Sequence, residues 1–406
     1  MSIVIAGGGM VGVSLALALR HKLPDVTLTL VESFPLPEPG ATTSTYTPSF
    51  DARSTALSYG SALIYGEWGV WDAIRERAAP IESIHVSEQG RFGSTLMRAA
   101  DYDWPALGYV VENAWLGNCL LEHLYQRDIH TLSPAKVVAA RSLEPVSLQL
   151  DDGSALDAEL LVVADGADSG LRDALGIGHR RQLYGQHAVI ANIAHRESHQ
   201  GRAYERFTPN GPLAMLPLTD EGAHRSALVW TLSPQQAEAM LAAPEQEFLT
   251  TLQREFGYRL GRLERVGERH HYPLALVEAE EQVRQGVVVM GNAAHSLHPV
   301  AGQGFNLALR DVACLAATLA AASAAGQSAG SLGVLQSYRE QQKRDQQQTT
   351  LFSDRLPGLF SHRDLALSAL RDLGLAVLDL TPSLKREFVR QTAGLSASRD
   401  YRDARP

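Results

Sequence analysis

The sequence predicts an α/β fold in which a parallel-sheet framework opens the chain, gives way to a mainly antiparallel sheet, and is rejoined before a run of C-terminal helices. Three observations predict it. An apolar run, Ser2–Ala6, leads into three glycines and then an apolar helix pattern. Between residues 180 and 275, short strand-like segments are separated by turn residues. Near residues 287–290 a buried-strand pattern returns, followed by a glycine-rich loop and a long helical stretch.

Composition bounds the possibilities. The 406 residues suggest two domains, or one large domain with an insertion. With 45% hydrophobic and 20% charged residues there is enough apolar surface for a core, which excludes disorder of the whole chain. A formal net charge of −9 argues against electrostatic binding of nucleic acid. The two cysteines, Cys119 and Cys314, are far apart, so neither a disulfide framework nor a cysteine-ligated metal organises the fold. Met1-Ser2 enters the apolar run without a basic segment, so no secretory signal is expected. Residues 312–325 come nearest to a spanning stretch and read as a buried helix. The expectation is a cytoplasmic chain that can touch the inner membrane peripherally.

The elements follow in order. Strands are expected at Ser2–Ala6 and over 26–31, with a helix over 11–22 that ends before Pro24. Residues 35–49 read as a loop rich in Pro, Thr and Ser. Helices are expected over 55–76 and over 109–127, the latter apolar at Leu116, Leu120, Leu121 and Leu124. Asp151-Asp152-Gly153 marks a hairpin, and residues 160–164 form a continuous apolar strand. The antiparallel part is expected to use residues 189–194, 202–207, 213–216 and 226–232. From residue 337 the chain reads as helical and charged. There Leu367, Leu370, Leu373, Val377 and Leu380 recur at helical spacing near Arg363, Arg371 and Lys385. That stripe suits a membrane surface, a partner or the protein itself.

The first chemistry-bearing motif is Gly7-Gly8-Gly9-Met10-Val11-Gly12, which fits G-x-G-x-x-G. Gly7 permits the tight turn, Gly9 lets a pyrophosphate approach the backbone, and Gly12 lets the helix pack on the strand. Met10 and Val11 open a helix whose free N–H groups attract an anion. Glu32 lies twenty residues beyond Gly12, at the end of the second strand. A carboxylate there accepts the ribose hydroxyls and repels a 2′-phosphate, so this Rossmann-like unit suits FAD or NAD rather than NADP.

Two further segments decide between them. One is Asp165-Gly166 at the end of an apolar strand, with Ser169 and Arg172 after it. The other is Gly291-Asn292-Ala293-Ala294-His295, continuing through Pro299-Val300-Ala301-Gly302-Gln303-Gly304-Phe305-Asn306. A simple NAD dehydrogenase needs neither. Together with the first motif they resemble the class A flavoprotein aromatic hydroxylases, the family of para-hydroxybenzoate hydroxylase. Asp51-Ala52-Arg53-Ser54-Thr55-Ala56-Leu57, and Arg206-Phe207-Thr208-Pro209-Asn210-Gly211-Pro212 through Leu216-Pro217-Leu218, are similar to the ubiquinone-biosynthesis subgroup. Asn292 stands where many class A enzymes carry Asp; its amide can still hydrogen-bond a ribityl hydroxyl.

The resemblance implies an FAD-binding domain formed by residues 1–75, 106–179 and 276–336. It implies an interleaved substrate domain of 76–105 and 180–275, and a helical region of 337–406. Gly7, Gly9, Met10, Val11, Gly12, Glu32, Arg53, Asp165, Gly166, Gly291, Asn292, Phe305 and Asn306 are expected at FAD. Pro299, Gly302, Gln303 and Gly304 are expected at the flavin ring. Leu213, Met215, Leu216 and Trp230 are expected along the substrate pocket. His295 and His298, spaced i, i+3, lack the further ligands of a metal site, and no metal is expected.

The implied activity is that of a monooxygenase reduced by NAD(P)H, working through a flavin C4a-hydroperoxide. Its substrates would be dioxygen and the phenol ring of a polyprenylated ubiquinone precursor, 2-polyprenyl-6-methoxyphenol foremost. Other ubiquinone-biosynthesis proteins are expected as partners. Hydroxylation at another ring position or of a small soluble aromatic, or a non-catalytic nucleotide-binding role in an assembly, stays open.

Overall fold

The computed structural model describes residues 1–37, 53–91, 93–142, 144–219, 224–297, 302–361 and 382–395, with side chains at 355–361 and 382–385 outside that description. Pro299, His298 and the leucine stripe of 363–380 therefore lie outside the described residues.

One six-stranded sheet runs in the order Val283–Arg284, Val287–Val289, Leu160–Val163, Ser2–Ala6, Thr27–Val31, His130–Leu132. Its neighbours are parallel except for the first pair. Leu160–Val163 and Val287–Val289 are buried along their whole length, as expected of parallel strands covered on both faces. The helix Met10–Lys22 is buried at every position from Gly12 to Leu19, so it is apolar all round rather than amphipathic. It packs on Gln303–Ala324 and on Asn113–Tyr125.

The second large sheet has nine strands. Its main path is His295–Ser296, His270–Ala279, His179–His195, Arg225–Leu232, Gly211–Pro217, Arg202–Thr208, Ser83–Glu88, Ser94–Arg98, with Leu263–Val266 paired to His179–His195. All pairs are antiparallel except Arg202–Thr208 with Ser83–Glu88. One face is covered by helices Pro234–Ala242 and Glu245–Phe256, which drive Phe248, Leu252 and Phe256 into a core with Val189, Leu213, Met215, Leu228 and Trp230. Ser233 starts the first of these helices with a capping box to Gln236.

Two helical expectations are corrected. Residues 55–76 begin as strand Ser54–Ser58, then form helices Tyr59–Glu67 and Trp71–Arg75. Residues 109–127 begin as strand Gly108–Glu112 before helix Asn113–Tyr125. Both strands exist through distant pairing: Thr55 lies opposite Val111 and Leu57 opposite Tyr109, and Gly108–Glu112 pairs on its other edge with Ala79–Ile81. The hairpin about Asp151-Asp152-Gly153 is present, joining Val146–Leu150 to Ala155–Ala158.

Among the described residues, Gln303–Ala324 is long and apolar enough to cross a membrane. Here it is a core helix. Arg310 and Asp311 are buried on it, and Arg310 Nε lies 2.6 Å from Asp345 Oδ2 of helix Leu332–Ser361.

Candidate cofactor-binding site

The C-terminal ends of the parallel strands open into a cleft of about 400 Å³, where ligands of open α/β sheets bind. Gly7, Gly9, Met10, Val11, Glu32, Asp165, Gly166, Asn292 and Phe305 line it together. Three segments separated by more than a hundred residues thus meet at one place.

The glycine turn is set by close approach. Gly7 has φ +113°, and a Cβ on it would stand 2.4 Å from the Ala164 carbonyl oxygen. A Cβ on Gly12 would stand 1.9 Å from the Gly7 carbonyl oxygen, so the helix could not start where it does. Gly9 is the N-cap and offers no side-chain cap, and the first turn carries no acid. The orphan N–H groups of that turn therefore face the cleft with the positive end of the helix dipole. Glu32 Oε2 accepts a hydrogen bond from Gly8 N–H at 2.5 Å, and its Oε1 accepts from Phe34 N–H at 2.9 Å. This holds the carboxylate at the rim of the turn.

On the second strand end, burial pushes the Asp165 carboxyl above its ordinary range. Ser169 caps the short helix Gly170–Ala174. Arg172 had only a marginal place in the sequence motif, yet it is fully buried. Its Nη1 donates to Ala167 O at 3.2 Å and to Ala293 O at 2.9 Å. One guanidinium thus ties the Asp165-Gly166 loop to the Gly291–Ala293 turn. The signal for it in the sequence was an arginine one turn after an Asp-Gly strand end. Gly291 packs behind the cleft, where a Cβ would stand 3.1 Å from Val11.

Several other expected residues lie outside the lining of this cleft. Asn306 is buried, and all four hydrogen-bonding positions of its amide are used within the protein. Oδ1 accepts from Ser58 N–H at 2.8 Å and Ser61 Oγ–H at 2.7 Å; Nδ2 donates to Ala56 O at 2.8 Å and Gly302 O at 2.7 Å. It is a bracket between segments rather than a free cofactor ligand, which corrects that expectation. Gly302, Gln303 and Gly304 begin the long helix, and Gln303 Nε2 donates to Thr392 O at 3.4 Å. Arg53 lies with its guanidinium 4.8 Å from the centre of the Tyr272 ring.

The pocket expectation also needs correction. Leu213, Met215 and Trp230 are at most 1% exposed and belong to the core beneath Phe248 and Phe256. Alternation along a strand sends them to the face opposite Leu216, which is half-buried against another cluster. His295 Nε2 lies 3.2 Å from Asp311 Oδ2, both buried, a pairing within the core.

The donor set fits FAD: a glycine turn a Cβ would fill, an uncapped helix N-terminus, and a carboxylate at the end of the second strand. Gly7, Gly9 and Met10 would hold the pyrophosphate, Glu32 a ribose, and Asn292 the ribityl chain. Bound FAD would supply the redox chemistry.

The FAD binding domain family matches residues 1–353. The chain is 36% identical over 394 residues to ubiquinone hydroxylase UbiL of Rhodospirillum rubrum, covering 97% of this chain and 89% of that one. It is 31% identical over 396 residues to 3-demethoxyubiquinol 3-hydroxylase of Escherichia coli, covering 97% and 98%. The structure superposes on p-nitrophenol 4-monooxygenase PnpA of Pseudomonas putida with a TM-score of 0.77 at 21% identity, covering 97% of each chain. The chain belongs to the FAD binding domain family and is a flavoprotein hydroxylase.

Proposed function

We propose that this enzyme hydroxylates the phenol ring of a polyprenylated ubiquinone precursor, 2-polyprenyl-6-methoxyphenol foremost, with dioxygen and with NAD(P)H as the electron donor. The observation that carries the reading is the convergence of the three motif segments on one cleft, in a chain related end to end to ubiquinone-biosynthesis hydroxylases. Gly7, Gly9, Met10, Glu32, Asp165, Gly166 and Asn292 bind the cofactor, and Gly302, Gln303 and Gly304 stand near its reactive ring. The protein's part in the reaction is to orient the phenol and keep water from the reacting atoms.

We divide the chain into an FAD domain of 1–75, 106–179 and 276–336 and a substrate domain of 76–105 and 180–275. The membership of the two sheets supports this, since Ser83–Glu88 and Ser94–Arg98 pair with the later antiparallel strands. The enzyme acts in the cytoplasm and takes its lipid from the membrane surface or from a partner enzyme of the same pathway. Quinone profiling of a deletion strain tests the function. Accumulation of a prenyl-methoxyphenol supports the stated step, accumulation of a later intermediate moves the reaction to another ring carbon, and a normal quinone profile refutes the reading.

A further inference from the structure

Resting on the hydroxylase reading above, we propose that the Glu205 carboxyl accepts a hydrogen bond from the substrate's phenol hydroxyl and orients the ring on the face of the nine-stranded sheet opposite helices Pro234–Ala242 and Glu245–Phe256.

Alternation decides which face Glu205 occupies. Tyr204 packs with Met215, Leu228 and Phe256 in the core beneath the helices, so the next residue points the other way. Register then builds a row on that opposite face. Glu205 is flanked by Val86 and Ala214, Ala214 pairs with Val229, and Val229 pairs with Ile190. Cover on this face is uneven: Ala203 and Ala227 are buried in a cluster with Phe388 and Val389 of helix Pro382–Thr392, while the row through Glu205 is more open than the core under the other two helices. Leu213, Met215, Leu228 and Trp230 are at most 1% exposed, whereas Val86, Glu205, Val229 and Ile190 are all half-buried. Val229 and Ile190, beside Ala214 and Glu205, therefore keep apolar surface that a ring can cover. Ala214, between Glu205 and Val229, is the smallest side chain of the row.

The same face lies beside the cofactor segments. Ala188 neighbours Ile190 on this face and pairs with Tyr272, and Tyr272 carries the Arg53 guanidinium. Arg53 leads into strand Ser54–Ser58, whose Ala56 lies against Gly302.

Glu205 has no hydrogen-bond or ion-pair partner among the described residues, and burial alone lifts its pKa to about 7. A carboxyl without a partner in an apolar row is destabilising unless a ligand brings a donor. A phenol has the matching chemistry, with one O–H donor on an apolar ring. A hydrogen bond to a carboxylate also pushes electron density from the phenol oxygen into the ring, which favours attack by an electrophilic oxygen.

The test uses FAD-loaded full-length protein and two probes, 2-methoxy-6-prenylphenol and its deoxy counterpart 1-methoxy-3-prenylbenzene, titrated by the change in flavin absorbance. Wild type binds the phenol about 10- to 100-fold more tightly, the range of a hydrogen bond to a charged acceptor. Its phenol affinity rises with pH through 7. Glu205→Ala loses this preference while keeping its flavin and its affinity for the deoxy probe. Glu205→Gln, which can still accept a hydrogen bond, keeps part of the preference and loses its pH dependence. A Glu205→Ala protein that still prefers the phenol as wild type does overturns the proposal, even where wild type hydroxylates the phenol. A flavin-loaded wild type that binds neither probe overturns the hydroxylase reading and this proposal with it.

Discussion

Asn306 holds Ser58 across 248 positions of sequence: its Oδ1 accepts the Ser58 backbone N–H at 2.8 Å. The same side chain reaches Ser61, Ala56 and Gly302. One amide thereby fixes strand Ser54–Ser58 against the start of the long helix. Asn306→Ala leaves buried donors and acceptors unpaired and is expected to destabilise by about 2–4 kcal/mol. Asn306→Asp fares no better, because its oxygen would face the Ala56 and Gly302 carbonyls. Denaturant unfolding of the two variants beside wild type checks both expectations.

Arg172 plays the same part for the other two segments. Replacing it with Met leaves the Ala167 and Ala293 carbonyls without their donor. Stability is expected to fall by about 2–4 kcal/mol, and FAD affinity by at least about 10-fold as the two loops lose their common tie. Flavin released at equal dialysis time and the unfolding midpoint give the two readouts. Unchanged flavin retention in a folded variant contradicts the positioning role.

Two glycines provide a matched pair. Gly12→Ala puts a methyl 1.9 Å from the Gly7 carbonyl oxygen, so it should abolish flavin retention. Gly66 sits in helix Tyr59–Glu67 with nothing within 4 Å of a Cβ. Gly66→Ala should leave flavin binding intact and stabilise by up to about 1 kcal/mol. Flavin content on purification and thermal unfolding separate the two.

Glu205 gives stability a pH dependence of definite sign. Its pKa in the folded protein is about 7 against an ordinary 4.5. Across that window the folded protein keeps a proton that the unfolded chain releases, so stability falls as pH rises, and the full penalty applies above the folded pKa. Glu205→Gln removes it. In ligand-free protein the variant should gain on the order of 1 kcal/mol over wild type at pH 8 and nearly nothing at pH 4, a figure discounted for the group's partial exposure. Denaturation at both pH values measures the difference.

The contrast between what sequence showed and what it hid has a physical basis. The glycine turn, Glu32 and the strands about them were legible because their constraints are local: a tight turn, a helix start, an apolar run. Ser54–Ser58 and Gly108–Glu112 were hidden because their partners are distant in sequence, Ser54–Ser58 pairing with Gly108–Glu112 and the latter also with Ala79–Ile81, and Ala56 and Leu57 suit a helix well in isolation. Leu213, Met215 and Leu216 were read together as one pocket wall, although alternation along Gly211–Pro217 sets Leu216 on the other face, and no local pattern says which face the helices cover. Leu213 and Met215 were therefore assigned to a pocket and proved to be core. The same alternation placed Glu205 among Ala203 and Phe207, a charge in an apolar stripe that the motif reading passed over. Asn306 looked like a ligand because its spacing fits the motif, while its partners come from segments no local pattern links.

The most direct test of the central claim is isotope tracing with purified FAD-loaded enzyme, NAD(P)H and 2-methoxy-6-prenylphenol under ¹⁸O₂. The account predicts a ring-hydroxylated product carrying one ¹⁸O atom, formed only when flavin, reductant and dioxygen are all present. A product whose new oxygen comes from water, or a flavin-loaded enzyme that oxidises NAD(P)H without hydroxylating the phenol, contradicts it.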